Sequence, residues 1–145
     1  MGKHILLGVT GGIACYKSAD LCSKLVANGY EVSVAMTANA LKLISAQIFM
    51  TLSRHEVLTD VFDTRNWKPG HVDLADWADL MVVAPAMNTM MWESPALQAN
   101  IQTLRDRGTH IIGPAEGRLA CGTSGGGRMV EVPEILSAIK GIIEE

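Results

Sequence analysis

The sequence is poor in cysteine and in aromatic residues, and it has no excess of basic charge. It contains three cysteines in 145 residues, an odd number without a Cys-x-x-Cys pair, which fits neither a disulfide framework nor a zinc knuckle. Lys and Arg total 12 and Asp and Glu total 15, so a formal net charge of -3 leaves no broad basic surface for nucleic acid. We therefore expect neither a disulfide-rich secreted domain nor a nucleic-acid-binding protein.

Long hydrophobic runs are also missing. No stretch approaches the roughly 18 consecutive apolar residues that a membrane-spanning helix needs. The first residues lead directly into a strand pattern at His4, without a signal-peptide cleavage region. The sequence therefore predicts a cytoplasmic protein without a membrane partner.

Aliphatic residues, in contrast, are abundant. Hydrophobic residues make up 48% and charged residues 19% of the chain, which is enough for the core of a single domain over residues 1–145. Because aromatic residues are only 5%, Leu, Ile, Val, Ala and eight Met must fill that core. This composition is typical of layered α/β proteins.

The N-terminal half of the sequence alternates between strand and helix patterns. The predicted elements are a strand at His4–Val9, a helix at Ile13–Asn28, a strand at Glu31–Met36, a helix from Ala40 to about Leu52, and a weaker strand at Glu56–Thr59. A polar loop over residues 63–70, containing Trp67 and Pro69, follows. Strand and helix in this order predict a parallel sheet with helices on both faces.

The C-terminal half continues the alternation. The predicted elements are a helical turn at His71–Asp79, a strand at Leu80–Ala84, a helix at Asn88–Arg107, a strand at Thr109–Gly113, a glycine-rich loop at Pro114–Gly127 and a last helix at Pro133–Glu145. The strand at Leu80–Ala84 is uniformly apolar, as a central parallel strand buried on both faces requires. The whole pattern predicts a doubly wound α/β fold.

Ligands of open α/β sheets bind at the carboxyl ends of the strands, where the most unusual segments of this sequence fall. These segments are Thr10–Ala14, Thr37–Ala40, Ala84–Trp92 and Pro114–Met129. In the first, small residues precede a helix start, whose free N–H groups and dipole favour a phosphate, although a plain tight turn explains it nearly as well. Thr37 can donate to the same phosphate or simply cap the next helix, and capping is the simpler interpretation.

Three polar side chains in these regions are candidates for chemistry. His71 precedes the strand at Leu80, a place where side chains point into a cleft, although a lone histidine is usually structural. Asn88 can hydrogen-bond a ligand above the strand ends, although the Met and Trp residues around it are also compatible with core packing. Cys121 lies in the glycine-rich loop, so we expect an accessible thiol with a lowered pKa.

Together these segments resemble the flavin-containing cysteine decarboxylases. The resemblance rests on Gly11-Gly12-Ile13-Ala14 with Tyr16-Lys17, on His71-x-x-Leu74-x-x-Trp77-Ala78-Asp79, on Pro85-Ala86-Met87-Asn88-x-x-Met91-Trp92, and on Ala120-Cys121-Gly122 with Gly127-Arg128-Met129. It implies a flavodoxin-like fold and an FMN-dependent decarboxylation of phosphopantothenoylcysteine to phosphopantetheine in coenzyme A biosynthesis. In such enzymes FMN oxidises the cysteine thiol of the substrate, carbon dioxide leaves, and the reduced flavin returns the electrons.

The resemblance also implies roles for individual residues. His71 would act as a base or polarising group, Asn88 would hold the substrate carboxylate, and Cys121 would protonate the enethiol intermediate. Further substrate-binding residues would be Met87, Met91, Trp92 and Arg128, and the FMN-binding residues would be Gly11, Gly12, Ile13, Ala14, Thr37, Ala84 and Pro85. No metal is expected, and the assembly implied by the family is a homotrimer.

The sequence departs from the family pattern at one point. The family usually has two Ala-Pro-Ala segments separated by a helix and a strand, whereas this chain has only Ala84-Pro85-Ala86, as though one crossover unit of roughly thirty residues were absent. Such a deletion would displace the Asn88 motif by about 4.8 Å, one inter-strand spacing. Two alternatives stay open. One is a peptidyl-cysteine decarboxylase acting on a peptide C-terminus, and the other, which the missing unit favours, is a catalytically silent flavin-binding regulatory subunit.

Overall fold

The computed structural model of the protein describes residues 3–62 and 70–144. The chain divides into two compact units, Met1–Leu80 and Met81–Glu145. The polar loop predicted over residues 63–70 lies outside the described residues, except for Gly70. A single domain over the whole chain stays a prediction.

Three parallel strands form the sheet of the N-terminal unit, in the order β1-β2-β3. They are β1 (His4–Val9), β2 (Glu31–Met36) and β3 (Val57–Leu58). β1 pairs with β2 along its whole length, whereas β3 pairs only with Val34 and Ala35. Val32 and Val34 are completely buried, as expected for a strand with neighbours on both edges and helices on its faces. The predicted bounds of β1 and β2 are confirmed.

The helices of the N-terminal unit are shorter than the sequence pattern predicts. They are α1 (Tyr16–Ala27), preceded by a 3-10 turn at Ile13–Cys15, then a 3-10 turn at Ala40–Lys42, α2 (Ala46–Ser53) and α3 (Gly70–Trp77). The continuous helix predicted from Ala40 to Leu52 is wrong, because Ser45 takes an extended conformation and its hydroxyl accepts a hydrogen bond from the Gln47 N–H at 3.2 Å. This serine therefore starts a new helix as its cap.

After α3 the chain returns to the edge of β1. The Asp79 N–H donates to the His4 carbonyl at 3.0 Å, and the Asp79 carboxylate accepts from the His4 N–H at 2.7 Å. Leu80 then forms a parallel bridge with Ile5. The Trp77 ring stacks on the His4 imidazole with a centroid separation of 4.6 Å. These contacts fix the end of α3 against the first strand.

The C-terminal unit contains a parallel strand pair, a hairpin and three helices. They are β4 (Val82–Val83), α4 (Thr89–Trp92), α5 (Pro95–Asp106), β5 (His110–Ile111), β6 (Ala115–Arg118), β7 (Ser124–Arg128) and α6 (Val132–Glu144). β4 pairs in parallel with β5, and β6 pairs antiparallel with β7. The helix α6 contributes Val132, Ile135 and Ile139 to the core.

The strand predicted at Leu80–Ala84 is shorter than expected and is not buried on both faces. Only Val82 and Val83 form β4, and Met81 is 62% exposed. The length of a strand is set by its partner, and β5 ends early because Gly113 adopts a positive φ of 86° after Ile112 has donated to the Val83 carbonyl. An apolar run in the sequence therefore does not show where the neighbouring strand ends, and so does not predict the length of the pair.

The helix predicted at Asn88–Arg107 is two helices. Pro95 occupies the first position of α5, where its missing N–H leaves no helical bond unmade, but proline cannot continue the preceding helix. Ser94, the residue before it, is accordingly outside the helical region, with ψ at 127°. α4 is therefore a single turn between Asn88 and Glu93.

The glycine-rich loop predicted at Pro114–Gly127 is also wrong, because this segment is largely a β-hairpin. Arg118 pairs with Ser124, and Glu116 pairs with Gly126. The turn between the strands closes through the Leu119 N–H, which donates to the Thr123 carbonyl at 2.8 Å. Glycine has a low strand propensity, but packing against neighbouring residues overrides it here.

No helix in the described part of the chain has the length and apolar composition needed to cross a membrane.

Candidate functional site

The turns that follow β1 and β2 pack directly against each other. The Thr37 N–H donates to the Val9 carbonyl at 3.0 Å. Gly11 lies so near Asn39 that a Cβ at position 11 would approach the Asn39 Cβ to 2.6 Å and its carbonyl carbon to 3.2 Å. Only glycine fits there without moving a neighbour. The close approach holds the turn in place at the start of the following helical segment.

The turn after β1 carries the features that an anion requires. Gly12 leads into the 3-10 turn Ile13–Cys15, which continues into α1. The first N–H groups of a helical segment have no partner within it, and with the helix dipole they attract negative charge. The first turns contain no acidic residue, and Ile13 is exposed. The arrangement therefore fits a phosphate group.

Thr37 acts as a cap in this structure. Its hydroxyl oxygen accepts a hydrogen bond from the Ala40 N–H at 3.2 Å, which is the simpler of the two interpretations drawn from the sequence. The acceptor role uses the oxygen only, so the hydroxyl hydrogen can still be donated. Thr37 is exposed and follows β2 directly. Capping and phosphate binding are therefore compatible.

His71 belongs to the N-terminal unit. It is the second residue of α3, and its side chain is exposed. The sequence-based prediction placed it in a short helical turn, and that turn is the two-turn helix Gly70–Trp77. The other two candidates for chemistry, Asn88 and Cys121, belong to the C-terminal unit, where they lie together.

Asn88 is held at both ends of its amide. It caps α4 in an extended conformation, and its Oδ1 accepts from the Met90 N–H at 2.9 Å. Its Nδ2 donates to the sulfur of Cys121 at 3.4 Å. The oxygen is therefore committed to the helix and the nitrogen faces the thiol, which fixes the orientation of the amide.

The thiol of Cys121 is exposed at the tip of the hairpin, as the sequence predicts. Its sulfur lies 3.1 Å from the Thr123 hydroxyl oxygen. Hydrogen bonds from the Thr123 side chain, then from its backbone and from Asn88, hold the pKa of the Cys121 thiol below its ordinary value, although partial desolvation acts against them. In contrast, burial raises the pKa of Cys22 to about 11. Cys121 is thus the cysteine suited to proton transfer.

The glycines of β7 bring the hairpin into direct contact with the segment that carries Asn88. The Met87 N–H donates to the Gly127 carbonyl at 2.8 Å, and the Thr89 hydroxyl donates to the Gly126 carbonyl at 2.7 Å. A Cβ at Gly127 would lie 2.4 Å from the Met87 oxygen, and one at Gly125 would lie 2.5 Å from the Thr89 hydroxyl. These glycines therefore permit a tight contact between the backbones of the two segments.

Thr89 and Thr123 are the site residues that sequence reasoning missed. The Thr89 hydroxyl connects α4 to β7 through its bond to the Gly126 carbonyl, and the Thr123 hydroxyl contacts the Cys121 sulfur. Their only sequence signal is position, since one follows Asn88 directly and the other follows Cys121 by two residues. Neither signal has meaning until the hairpin is known.

Arg128 is already paired within this unit. Its guanidinium forms an ion pair with the Glu131 carboxylate. The side chain also covers Gly117, since a Cβ there would lie 2.9 Å from a guanidinium nitrogen. A ligand that binds Arg128 must therefore share or replace this carboxylate.

Comparison with known families and proteins extends over nearly the whole chain. The Flavoprotein family model matches residues 1–86 and, a second time, residues 83–144. The coenzyme A biosynthesis bifunctional protein CoaBC of Bacillus subtilis is 39% identical over 92% of this chain and 41% of its own length. The protein of the same name from Mycobacterium bovis is 35% identical over 98% of this chain and 42% of its own length. The chain thus spans about two fifths of these relatives.

Solved structures share the fold. A mutant PPC decarboxylase complexed with pantothenoylaminoethenethiol superposes with a TM-score of 0.85 at 24% identity, covering 100% of both chains. The FMN binding protein AtHal3 gives a TM-score of 0.81 at 25% identity, covering 99% of this chain and 98% of its own. The peptidyl-cysteine decarboxylase EpiD gives 0.75 at 16% identity, covering 97% and 99%. The predicted doubly wound, flavodoxin-like α/β fold is confirmed.

The same comparisons bear on the missing crossover unit. The alignment with the Mycobacterium bovis protein runs over 175 residues, which exceeds the 145 residues of this chain by 30. At least that many aligned positions therefore have no counterpart here. Residues 83–86, which include Ala84-Pro85-Ala86, belong to both matches of the family model. Both findings agree with the loss of one unit at this segment.

Proposed function

The chain belongs to the Flavoprotein family, and on that basis we propose that it binds FMN and decarboxylates phosphopantothenoylcysteine to phosphopantetheine in coenzyme A biosynthesis. The CoaBC relatives, described as bifunctional coenzyme A biosynthesis proteins, support the pathway. The observation on this chain that carries the proposal is the 3.4 Å contact between the Asn88 amide and the Cys121 thiol. It brings a group able to hold a carboxylate next to a group able to donate a proton.

The proposed FMN phosphate site is the turn Gly11–Ala14, with Thr37 as a side-chain partner. The tight contact of Gly11 with Asn39 and the N–H groups at the helix start support it. Ala84 and Pro85 are proposed as further FMN contacts. Bound FMN would supply the oxidation of the substrate thiol and the return of its electrons.

Asn88 is proposed to bind the substrate carboxylate. The amide nitrogen carries two hydrogens, of which one is directed to the Cys121 sulfur and the other can be donated to the substrate. An uncharged amide grips a carboxylate without stabilising it so strongly that loss of carbon dioxide is prevented. The same amide would then align the carboxylate with the proton donor.

Cys121 and His71 are proposed to move protons. Cys121 would give its proton to the carbanion-like carbon left after decarboxylation, a role that its exposure and lowered pKa support. His71 would act as the base or polarising group for the substrate, since imidazole is suited to exchange a proton at physiological pH. Met87, Met91, Trp92 and Arg128 are proposed to contact the rest of the substrate.

A homotrimer in the cytoplasm is the proposed assembly and location. The side chains of Met81, Met90 and Met91 are 62%, 78% and 60% exposed, and solvent-facing Met residues of this kind are frequent at subunit contacts. In closed symmetric assemblies such a surface packs against another subunit, which contributes either the same patch or a different one. Sedimentation of the purified protein measures the assembly directly.

A catalytically silent flavin-binding subunit is a second candidate, and the at least 30 unmatched positions favour it. Loss of a crossover unit would displace one strand end by about 4.8 Å. Catalytic groups tolerate displacements far smaller than this. The two candidates agree on FMN and disagree on turnover.

The test is to purify the protein, record its flavin absorbance, and measure carbon dioxide release from phosphopantothenoylcysteine and from a cysteine-ended peptide. Bound FMN with turnover of the phosphorylated substrate is the expected result. Turnover of the peptide alone would show that the substrate is a peptide C-terminus and not phosphopantothenoylcysteine. Bound FMN without any turnover would establish the silent subunit, and a protein that binds no FMN would overturn both candidates.

A further inference from the structure

The hairpin turn presents a hydroxyl group to the sulfur of Cys121. The Thr123 hydroxyl oxygen lies 3.1 Å from this sulfur. Two backbone hydrogen bonds fix the turn that carries Thr123. The Thr123 carbonyl accepts from the Leu119 N–H at 2.8 Å, and the Leu119 carbonyl accepts from the Gly122 N–H at 3.0 Å. The backbone of the turn therefore holds Thr123 beside Cys121.

A second group holds the sulfur from outside the turn. The Asn88 Nδ2 lies 3.4 Å from the same atom, and the amide is fixed in turn by its bond to the Met90 N–H. The hairpin stays against this segment through the Met87 bond to the Gly127 carbonyl. The sulfur therefore lies between a hydroxyl and an amide that belong to two separately anchored pieces of backbone.

We propose that Thr123 is a positioning residue for Cys121, whose hydroxyl donates to the sulfur in its thiolate form and keeps it beside the Asn88 amide. The proposal rests on the function proposed above. There, Cys121 gives its proton to the carbanion-like carbon of the substrate, so the S–H bond breaks, a C–H bond forms, and the electron pair stays on sulfur. A thiolate at the protein surface is then left, and a hydroxyl at hydrogen-bond distance stabilises it.

The electrostatics of the turn agree with this assignment. The hydrogen bond from the Thr123 side chain is the largest of the causes that lower the pKa of Cys121. Charged residues on the hairpin strands are Glu116, Arg118 and Arg128, of which Arg128 is paired with Glu131, and none of them contributes to the shift. α4 itself, Thr89–Trp92, has no charged residue. The thiol is therefore tuned by neutral donors.

The test reads the thiol of Cys121 directly. The rate of alkylation of Cys121 by iodoacetamide is followed against pH in the intact protein, with mass spectrometry of the peptide that contains it. The buried Cys15 and Cys22 serve as internal controls for unfolding, because their alkylation requires opening of the fold. Alkylation follows the thiolate fraction, so the midpoint of the profile reports the pKa.

Two variants separate the hydroxyl from the shape of the side chain. Thr123→Val keeps the branched side chain and removes the hydroxyl, and we expect its alkylation midpoint to move to higher pH with a severalfold slower reaction at neutral pH. Thr123→Ser keeps the hydroxyl, and we expect it to restore the profile of the parent. Thr123→Ala serves as the hydroxyl-free variant if Thr123→Val does not fold.

An unchanged midpoint in the hydroxyl-free variant would overturn the proposal. An equal shift in Thr123→Ser would do so too, because it would assign the effect to the turn and not to the hydroxyl. The assay needs neither FMN nor substrate. If the protein has no turnover but the hydroxyl-free variant still shifts the alkylation midpoint, the function proposed above is overturned and the role of Thr123 is supported. If the enzyme is active but the midpoint does not shift, the function is supported and the role of Thr123 is overturned.

Discussion

The two units offer different chemistry to a ligand. At the strand ends of the N-terminal unit, the turn at Gly11 presents backbone N–H groups and no acidic side chain. In the C-terminal unit, the sulfur of Cys121 lies 3.4 Å from the Asn88 amide nitrogen and 3.1 Å from the Thr123 hydroxyl oxygen. Backbone groups suit the recognition of a phosphate, which does not change, whereas side chains suit a reaction in which protons move.

Glycine nevertheless has the same purpose in both units. Gly11 permits the approach of Asn39, and Gly127 permits the approach of Met87. Substitutions that disturb one unit and not the other therefore test the division between them.

The largest expected effect is that of His71→Asn. Asparagine keeps the size and one hydrogen bond of the side chain but cannot take up a proton, so we expect decarboxylation to fall by roughly 10²- to 10⁴-fold. FMN absorbance of the purified variant should equal that of the parent. Loss of the flavin would make His71 a structural residue, and near-normal turnover would remove it from the reaction.

Cys121→Ser tests the side-chain chemistry of the C-terminal unit. Serine is a far weaker acid than a thiol, so we expect product formation to fall by roughly 10²-fold or more while decarboxylation proceeds. The oxidised intermediate, which has two hydrogen atoms fewer than phosphopantetheine, should accumulate and be detected by mass spectrometry. Release of phosphopantetheine at the rate of the parent would show that another group donates the proton.

Gly127→Ala tests the tight contact of β7. The new Cβ would lie 2.4 Å from the Met87 oxygen on a residue with φ of 109°, and strain and overlap together should lower the free energy of unfolding by roughly 2–6 kcal/mol. The matched control is Gly122→Ala, which has a φ of 89° and open space around it, and should cost about 1–2 kcal/mol. Equal losses in urea unfolding would contradict the packing role of Gly127.

Gly11→Ala tests the proposed phosphate turn. Overlap with Asn39 costs about 1–3 kcal/mol, and if it distorts the turn it should weaken FMN binding by roughly 10- to 100-fold. Gly8→Ala is the control, because a Cβ there meets nothing within 4 Å. FMN titration followed by flavin fluorescence measures both. If Gly11→Ala binds FMN with the affinity of the parent, the phosphate does not bind at this turn.

The smallest expected effect is a pH dependence from Cys22. Burial raises its pKa to about 11 in the folded protein, above the value of about 8.5 for an unfolded thiol. The stabilisation is fully present below the unfolded pKa and is lost as pH rises toward 11. The free energy of unfolding, measured with urea, should therefore fall less in Cys22→Ala than in the parent when the pH is raised from neutral toward 11. Parallel curves would contradict the assignment.

The sequence was most informative where local pattern and fold agree. β1 and β2 could be predicted to the residue because an apolar run ends at Thr10-Gly11-Gly12 in the first case and an alternating pattern lies between Gly29 and Thr37 in the second. The helix breaks at Ser45 and Pro95 follow local rules of capping and proline geometry that periodicity alone does not weigh. These errors were local and could have been avoided.

The hairpin could not be derived in the same way. Gly125 and Gly126 have little strand propensity, and they form β7 because Thr89 and Trp92 lie against them. The contact between Asn88 and Cys121 spans 33 residues of sequence and depends on that hairpin. Resemblance to a family indicated both residues, but their bond and the role of Thr123 required the three-dimensional arrangement.

The pairing of Arg128 with Glu131 has a consequence for selectivity by charge. A ligand that reaches this guanidinium competes with a carboxylate that is already in place. A peptide carboxylate would exchange one single negative charge for another and gain little, whereas a phosphate monoester carries up to two and forms stronger hydrogen bonds to a guanidinium. If Arg128 contacts the substrate, the neighbouring Glu131 carboxylate favours a phosphate monoester over a peptide carboxylate, and the preference is small because both side chains are exposed to solvent.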